Sequence, residues 1–228
     1  MAGVQLVGLT KHYKRGGEVI KALDAVTLDI DKGEFIAVVG RSGSGKTTML
    51  DLLGLLLKPT AGSLLIDDVE TTKLGDRDRA HLRAKKVGFV FQEYNLLSSL
   101  NVLENVMLPL RYVKNGHDGR ARATELIDRV GLSDRIKHRP TELSGGQMQR
   151  VAIARSMVNQ PSLILLDEPT GAVDTETAQQ LVDLLKLLNS QDGVTIVIVT
   201  HDTDIAAQSK RQIRLKDGKV LTDQKLSV

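Results

Sequence analysis

A glycine-rich octet, GRSGSGKT at residues 40–47, is the first stretch of this sequence with recognisable chemistry. It follows an apolar run, EFIAVV, and precedes a helical pattern, TTMLDLLGLLL, which is the context that a P-loop requires. The glycines let backbone N–H groups close around a polyphosphate, and the start of the helix adds a partial positive charge. We expect Lys46 to reach the terminal phosphates and the Thr47 hydroxyl to ligate Mg²⁺.

Two adjacent acidic residues, Asp167 and Glu168, follow a second apolar run, LILL. Open α/β sheets bind ligands beyond the carboxyl ends of their strands, so both carboxylates are candidates for a site. Adjacent strand residues point to opposite sides, and we therefore expect different roles. Asp167 suits the outer coordination sphere of Mg²⁺, and Glu168 suits polarising an attacking water. Acidic residues also end strands simply because solvent begins there. The pair therefore indicates a site only in combination with the P-loop.

Two more polar residues follow predicted strands. His201 follows the run VTIVIVT, and Gln92 follows VGFVF. An imidazole at this sheet edge is placed to hold a γ-phosphate and the attacking water, while Gln92 is placed to reach Mg²⁺ or the water. Either residue, taken alone, also fits an incidental position at a strand end.

The stretch LSGGQ at residues 143–147 opens another helical pattern and has two interpretations. Ser144 and Gln147 have the spacing of a capping box. A cap does not explain Gly145 and Gly146 in the first turn, where each glycine costs up to about 1 kcal/mol relative to alanine. Glycine is favoured where a ligand must approach the backbone closely. We interpret the stretch as a cap and an anion site, with the glycines favouring the anion site.

The elements that must position these residues alternate along the chain. Strand patterns occupy residues 4–10, 25–30, 34–39, 63–67, 87–92, 162–167 and 194–200, and helical patterns occupy 47–57, 76–86, 150–158 and 177–188. The first helix is expected to stop at Lys58-Pro59, and Asp217-Gly218 predicts a hairpin turn. This alternation predicts an α/β fold with a mainly parallel sheet. Between about 93 and 142, helical spacing without strand patterns predicts an inserted helical subdomain.

Composition limits the function classes. The 228 residues fit one large domain or one domain with a sizeable insertion. The absence of cysteine excludes disulfides, thiolate metal sites and thiol catalysis. Basic residues are dispersed, the net charge is +3 and tryptophan is absent, so we expect no nucleic-acid partner. No apolar run approaches the about 20 residues of a membrane-spanning helix, and no signal-peptide core begins the chain. We expect a soluble chain that a partner holds at any membrane.

Together and in this order, the motifs resemble the ATP-binding cassette (ABC) ATPase family over essentially the whole chain. The P-loop, the Q-loop at Gln92, the signature at 143–147, the Walker B run at 163–168, the D-loop at Asp174 and the switch His201 carry the resemblance. Tyr13 stands where the family has an aromatic residue that stacks on adenine. The resemblance implies a P-loop NTPase fold with a RecA-like core, an N-terminal antiparallel β subdomain and an inserted helical subdomain, all within one domain, 1–228.

The resemblance also implies that each ATP lies between the P-loop of one chain and the signature of a second copy, in a head-to-tail dimer. The implied nucleotide contacts are Tyr13, Gly40, Arg41, Ser42, Gly43, Ser44, Gly45, Lys46, Thr47, Thr48, Ser144, Gly145, Gly146, Gln147 and Asp174. The implied catalytic residues are Lys46, Gln92, Glu168 and His201, and the implied Mg²⁺ ligands are Thr47, Gln92 and Asp167.

Two longer stretches, VGFVFQEYNLLSSLNVLENVMLPL and THDTDIAAQSKRQIRLKDGKV, resemble the macrolide-export and lipoprotein-release branch. That branch implies integral-membrane permease partners and a place on the cytoplasmic face of the membrane. A cell-division ABC ATPase is a near relative. A soluble ABC ATPase of DNA repair, translation or iron–sulfur cluster assembly is the other hypothesis, and cluster assembly is the hardest to exclude. Arg41, where proline is frequent, and Ala172-Val173 before Asp174 depart from the common family pattern.

Overall fold

The computed structural model describes residues 2–113 and 119–226 of the chain. The described residues form ten strands: β1 (Ala2–Arg15), β2 (Glu18–Asp31), β3 (Phe35–Val39), β4 (Ala61–Ile66), β5 (Val69–Glu70), β6 (Val87–Val90), β7 (Leu163–Asp167), β8 (Thr195–Val199), β9 (Arg211–Lys216) and β10 (Lys219–Lys225). The helices described are α1 (Lys46–Leu53), α2 (Asp76–Lys86), α3 (Val102–Met107), α4 (Gly119–Arg129), α5 (Gly145–Met157), α6 (Thr175–Asp192) and α7 (Thr203–Ala206).

The strands of the described ranges make two sheets. An antiparallel sheet has the order β2-β1-β4-β5, and a larger one has the order β10-β9-β3-β8-β7-β6. All neighbours in the larger sheet are parallel except β9 and β10, which form a hairpin. The predicted α/β class, the mainly parallel sheet and the N-terminal antiparallel sheet are confirmed. The turn at Asp217-Gly218 is confirmed too, and both residues have positive φ angles of 50° and 75°.

The central strands separate two apolar clusters because their side chains alternate between faces. Ile36 and Val38 of β3 face a cluster with α1 and the antiparallel sheet. Ala37 faces the other cluster, which includes α5, α6 and the apolar residues of α3 and α4. Strands buried on both faces read as continuous apolar runs, which explains why EFIAVV and VTIVIVT show little alternation.

The first helix ends earlier than the sequence predicts. Helix α1 stops at Leu53, and Leu55 has a left-handed φ of 57°, so the predicted continuation to residue 57 is wrong. A Cβ atom at Gly54 would lie 1.9 Å from Cζ of Phe89, which shows how closely β6 approaches this turn. The short strand β5 and the short helix α7 have no counterpart in the sequence prediction, and β2 begins seven residues before the predicted strand.

Between residues 93 and 142, the described part contains α3, α4 and 3₁₀ turns at Leu108–Tyr112, Ser133–Arg135 and Pro140–Glu142. Residues 114–118 of the predicted insertion lie outside the described residues. A capping box between Asn101 and Glu104 starts α3. Apolar residues of α3 and α4 share one cluster with the core helices α5 and α6, so the division into a core and an inserted subdomain stays a prediction. No helix in the described ranges has the length and apolarity needed to cross a membrane.

Candidate nucleotide-binding site

The P-loop connects β3 to α1 with backbone geometry that glycine permits. Gly45, the residue before α1, has a φ of 106°, and a Cβ there would lie 2.3 Å from the Ala22 carbonyl oxygen. No side chain caps the start of α1, so its first N–H groups are available to an anion. The Lys46 ammonium group donates to the carbonyl oxygens of Gly40 at 2.8 Å and Arg41 at 3.1 Å, which holds the charge beside the loop.

A cavity of about 580 Å³ joins the P-loop to the carboxyl ends of the parallel strands. This volume lies within the usual range for small-molecule sites. The sequence-predicted residues that line it are Gly40, Arg41, Ser42, Gly43, Gly45, Lys46, Thr47, Thr48, Gln92, Asp167, Glu168 and His201. Tyr13, Ser44, Asp174 and residues 144–147 are not among its lining residues.

Glu168 and His201 meet at the end of β7 and β8. His201 Nδ1 lies 2.7 Å from Glu168 Oε2, and the His201 backbone N–H donates to the same oxygen at 3.4 Å. The Glu168 side chain is 18 % exposed, whereas that of His201 is 74 % exposed. Glu168 has a left-handed φ of 45°, and its N–H donates to the Val199 carbonyl at 2.9 Å. The imidazole is therefore placed to orient a carboxylate that can accept a proton from water.

Asp167 lies where negative charge accumulates. Burial raises the pKa of its carboxyl group, the charges of Glu168 and Asp51 raise it further, and Lys46 opposes them. A cation at this position would stabilise the ionised carboxylate of Asp167. Thr47 and Gln92 line the same cavity. The described residues include no group of three or more His, Asp or Glu that could hold a metal. Asp167, Thr47 and Gln92 nevertheless fit Mg²⁺, because this ion usually keeps water and phosphate oxygens among its ligands and needs few protein groups.

Tyr13 lies near the cavity without lining it. It pairs with Ile20 across the β1–β2 ladder, and Ile20 is a lining residue. The Tyr13 side chain is 39 % exposed, and the Lys11 ammonium nitrogen lies 5.3 Å from the centre of its ring. Its adenine contact stays a prediction.

The signature stretch begins α5 as a capping box. The Gln147 N–H donates to Ser144 Oγ at 3.3 Å, and the Ser144 N–H donates to Gln147 Oε1 at 3.0 Å, so the predicted cap is confirmed. The glycines also have an explanation within the chain. A Cβ at Gly146 would lie 2.5 Å from Thr177 Cγ2, and one at Gly145 would lie 2.9 Å from Tyr94 Oη. Their contact with an anion stays a prediction.

Asp174 caps the start of α6 in this chain. Its carboxylate accepts from the Thr177 N–H at 2.9 Å and from the Thr177 hydroxyl at 2.7 Å. These hydrogen bonds lower the pKa of Asp174, the backbone one most. Thr177 thus contacts both Asp174 and Gly146, which places the start of α6 beside the signature. Contact between Asp174 and a nucleotide stays a prediction.

Sequence reasoning missed several residues of the site. Ile20, Lys21 and Ala22 of β2 line the cavity, and nothing local in their sequence indicates it. Asp51, which raises the pKa of Asp167, could have been found from the sequence. It lies four residues after Thr47 in α1, so both residues lie on the same helix face.

Comparison with known proteins agrees with this geometry. The family model described as ABC transporter matches residues 23–171. An uncharacterized ABC transporter ATP-binding protein of Methanocaldococcus jannaschii is 48 % identical over 228 residues, covering 98 % of this chain and 97 % of the relative. The macrolide export ATP-binding/permease protein MacB of Campylobacter jejuni is 49 % identical over 204 residues, covering 89 % of this chain and 32 % of the relative. The chain spans about a third of such macrolide export relatives.

Solved structures give the same result. A dimeric structure of an ATP-binding cassette in a post-hydrolysis state, bound to ADP and Pi, matches with a TM-score of 0.90 and 46 % identity, and the match covers 99 % of each chain.

Proposed function

The chain belongs to the ABC transporter family, and on this premise we propose that it is an ATP-hydrolysing subunit that works as a head-to-tail dimer around two ATP molecules. One observation carries the proposal. The P-loop, the two carboxylates and His201 line one cavity, while the signature of the same chain lies outside it. A second copy that presents its signature would complete each site.

The residues of the cavity have separate roles in this proposal. The P-loop N–H groups and Lys46 hold the β- and γ-phosphates of ATP, and Thr47, Gln92 and Asp167 would hold Mg²⁺, which neutralises phosphate charge. Glu168 polarises the attacking water, and His201 fixes the orientation of its carboxylate through the 2.7 Å contact. From the other copy, Ser144, Gly145, Gly146 and Gln147 contact the γ-phosphate at the start of α5.

A permease partner is supported by a second feature, which we name the apolar groove. It has a volume of about 550 Å³ and is lined by Leu56, Ala80, Arg83, Ala84, Val87, Gly88, Phe89, Phe91, Asn95, Leu108, Pro109, Tyr112, Arg155, Ser156 and Asn159. Tyr112 is 69 % exposed and Leu56 is 42 % exposed, so large apolar side chains face solvent here. Such a groove suits a short segment of an integral-membrane partner.

The relatives named macrolide export ATP-binding/permease protein combine two parts in their names, and this chain aligns with about a third of their length. We infer that permease subunits hold this ATPase at the cytoplasmic face of the membrane and that its work belongs to the export or lipoprotein-release branch. Neither the site nor the relatives' names favour the cluster-assembly or cell-division alternatives.

Glu168→Gln tests the function. This variant keeps the shape of the side chain and removes the base, so ATP should bind and trap the dimer with little turnover. Light scattering with ATP and Mg²⁺ should report dimers, and phosphate release should fall at least about a hundredfold. Glu125→Gln, at an exposed position of α4, is the matched control and should behave as wild type. A Glu168→Gln chain that stays monomeric and turns over ATP normally would refute the proposal.

A further inference from the structure

The segment after Gln92 contains an unusual turn at Tyr94 and Asn95. Both residues have positive φ angles, 60° and 48°, in the left-handed region that asparagine tolerates and tyrosine rarely adopts. The turn brings two consecutive carbonyl groups to the same guanidinium group. Arg155 Nη2 donates to the Tyr94 carbonyl oxygen at 2.7 Å, and Nη1 donates to the Asn95 carbonyl oxygen at 2.6 Å. The planar fork of arginine is suited to this paired geometry.

Arg155 depends on these carbonyl groups. Burial lowers the pKa of its guanidinium group, and no charge among the described residues counters that effect. Because a buried cation needs hydrogen-bond acceptors, the turn and Arg155 support each other. Arg155 belongs to α5, the helix that the signature begins. The turn is therefore hydrogen-bonded to a residue near the C-terminal end of the signature helix.

The Tyr94 side chain contacts the other end of the same helix. Its hydroxyl oxygen lies 2.9 Å from the position of a Cβ at Gly145, the first residue of α5. Gly145 and Arg155 are separated by roughly 15 Å along the helix axis. The Arg155 side chain and Tyr94 together connect the two ends of α5: the guanidinium group binds the Tyr94 carbonyl group, and the Tyr94 hydroxyl lies beside Gly145.

From these contacts we propose that Arg155 and Tyr94 are positioning residues for ATP hydrolysis. Arg155 holds the turn, and the Tyr94 side chain sets the position of the signature in its own chain. This inference rests on the proposed shared site, in which that signature serves the ATP bound to the P-loop of the other copy. Asn95 and Arg155 also line the apolar groove, so a segment docked there would act directly on the turn.

Heterodimers with one functional site test the inference. Lys46→Ala removes the P-loop lysine from one chain, so the remaining site combines the wild-type P-loop with the signature of the Lys46→Ala chain. Tyr94→Ala is then placed either in the Lys46→Ala chain or in the other chain. We expect kcat to fall about tenfold in the first arrangement and to change much less in the second. Arg155→Lys, which keeps the charge but loses the fork, should show the same asymmetry.

Two controls keep the result specific. Tyr94→Phe removes only the hydroxyl group that lies beside Gly145, so it should show the same asymmetry with a smaller loss. Leu187→Ala, at an exposed position of α6 outside the cavity and the apolar groove, is the matched control and should leave the rate unchanged in both arrangements. Equal losses in both arrangements, as a folding defect would give, would overturn the inference. So would a larger loss when Tyr94→Ala is in the chain with the intact P-loop. If Lys46→Ala heterodimers without a Tyr94 change are inactive, the shared site itself fails, and this inference fails with it.

Discussion

Removing the imidazole of His201 should slow hydrolysis while leaving ATP binding nearly unchanged. In the folded chain the Glu168 carboxylate is mostly buried, and His201 contacts it through Nδ1 at 2.7 Å and through a backbone N–H at 3.4 Å. His201→Ala removes the short contact and keeps the backbone one. A hydrogen bond to a charged group contributes about 1.5–3 kcal/mol, which corresponds to about a 10- to 150-fold loss in kcat if it holds the base in the transition state.

The assay is steady-state phosphate release, with nucleotide affinity measured separately on the same protein. The affinity for ATP should change by less than about threefold, because Lys46 and the P-loop backbone hold the phosphates without His201. His201→Gln retains a donor and should lose less, and His81→Ala, at an exposed position of α2, is the matched control. A folded His201→Ala chain with kcat within twofold of wild type would refute the role, and so would a loss confined to KM.

Two other changes test neighbouring parts of the account. Tyr13→Ala should weaken binding of ATP, measured by titration with a fluorescent analogue, and unchanged affinity would make Tyr13 a surface residue of the β1–β2 ladder. One carboxylate oxygen of Asp67 lies 2.6 Å from the ammonium nitrogen of Lys86, and the other lies 3.0 Å from that of Lys32. Burial raises the pKa of Asp67, but these partners outweigh burial and hold the pKa below its ordinary value. Its stabilising contribution is thus present above about pH 4 and is lost as pH falls through the folded-state pKa. Asp67→Asn should lower the free energy of unfolding at pH 6 by about 1–2 kcal/mol and much less at pH 3, and an equal loss at both pH values would contradict this.

The motifs of the site were predictable because each combines residue type with local context. The octet at 40–47 has a strand before it and a helix after it, and Asp167, Gln92 and His201 each follow an apolar run, so parallel strands bring them to one edge. The pairing of Glu168 with His201, 33 residues apart, was not predictable, because it depends on which strands are neighbours.

Long-range packing explains what the sequence could not indicate. Helix α1 stops at Leu53, although the pattern LLGLLL suits a longer helix, and Gly54 in the turn that follows leaves room for Phe89 of a distant strand. From the sequence alone, the glycines of the signature indicate a ligand. Gly146 also meets Thr177 of α6, and Gly145 meets Tyr94, and both contacts join segments that are far apart in the chain.

The central claim is that each ATP site takes its signature from a second copy. The most direct test mixes Ser144→Arg chains, which lack a working signature, with Lys46→Ala chains, which lack a working P-loop. Neither homodimer has an intact site, whereas a mixed dimer has one. At equal concentrations the mixture should reach about a quarter of the wild-type rate if the two sites act independently. A mixture no more active than the average of the two separate variants would contradict the claim.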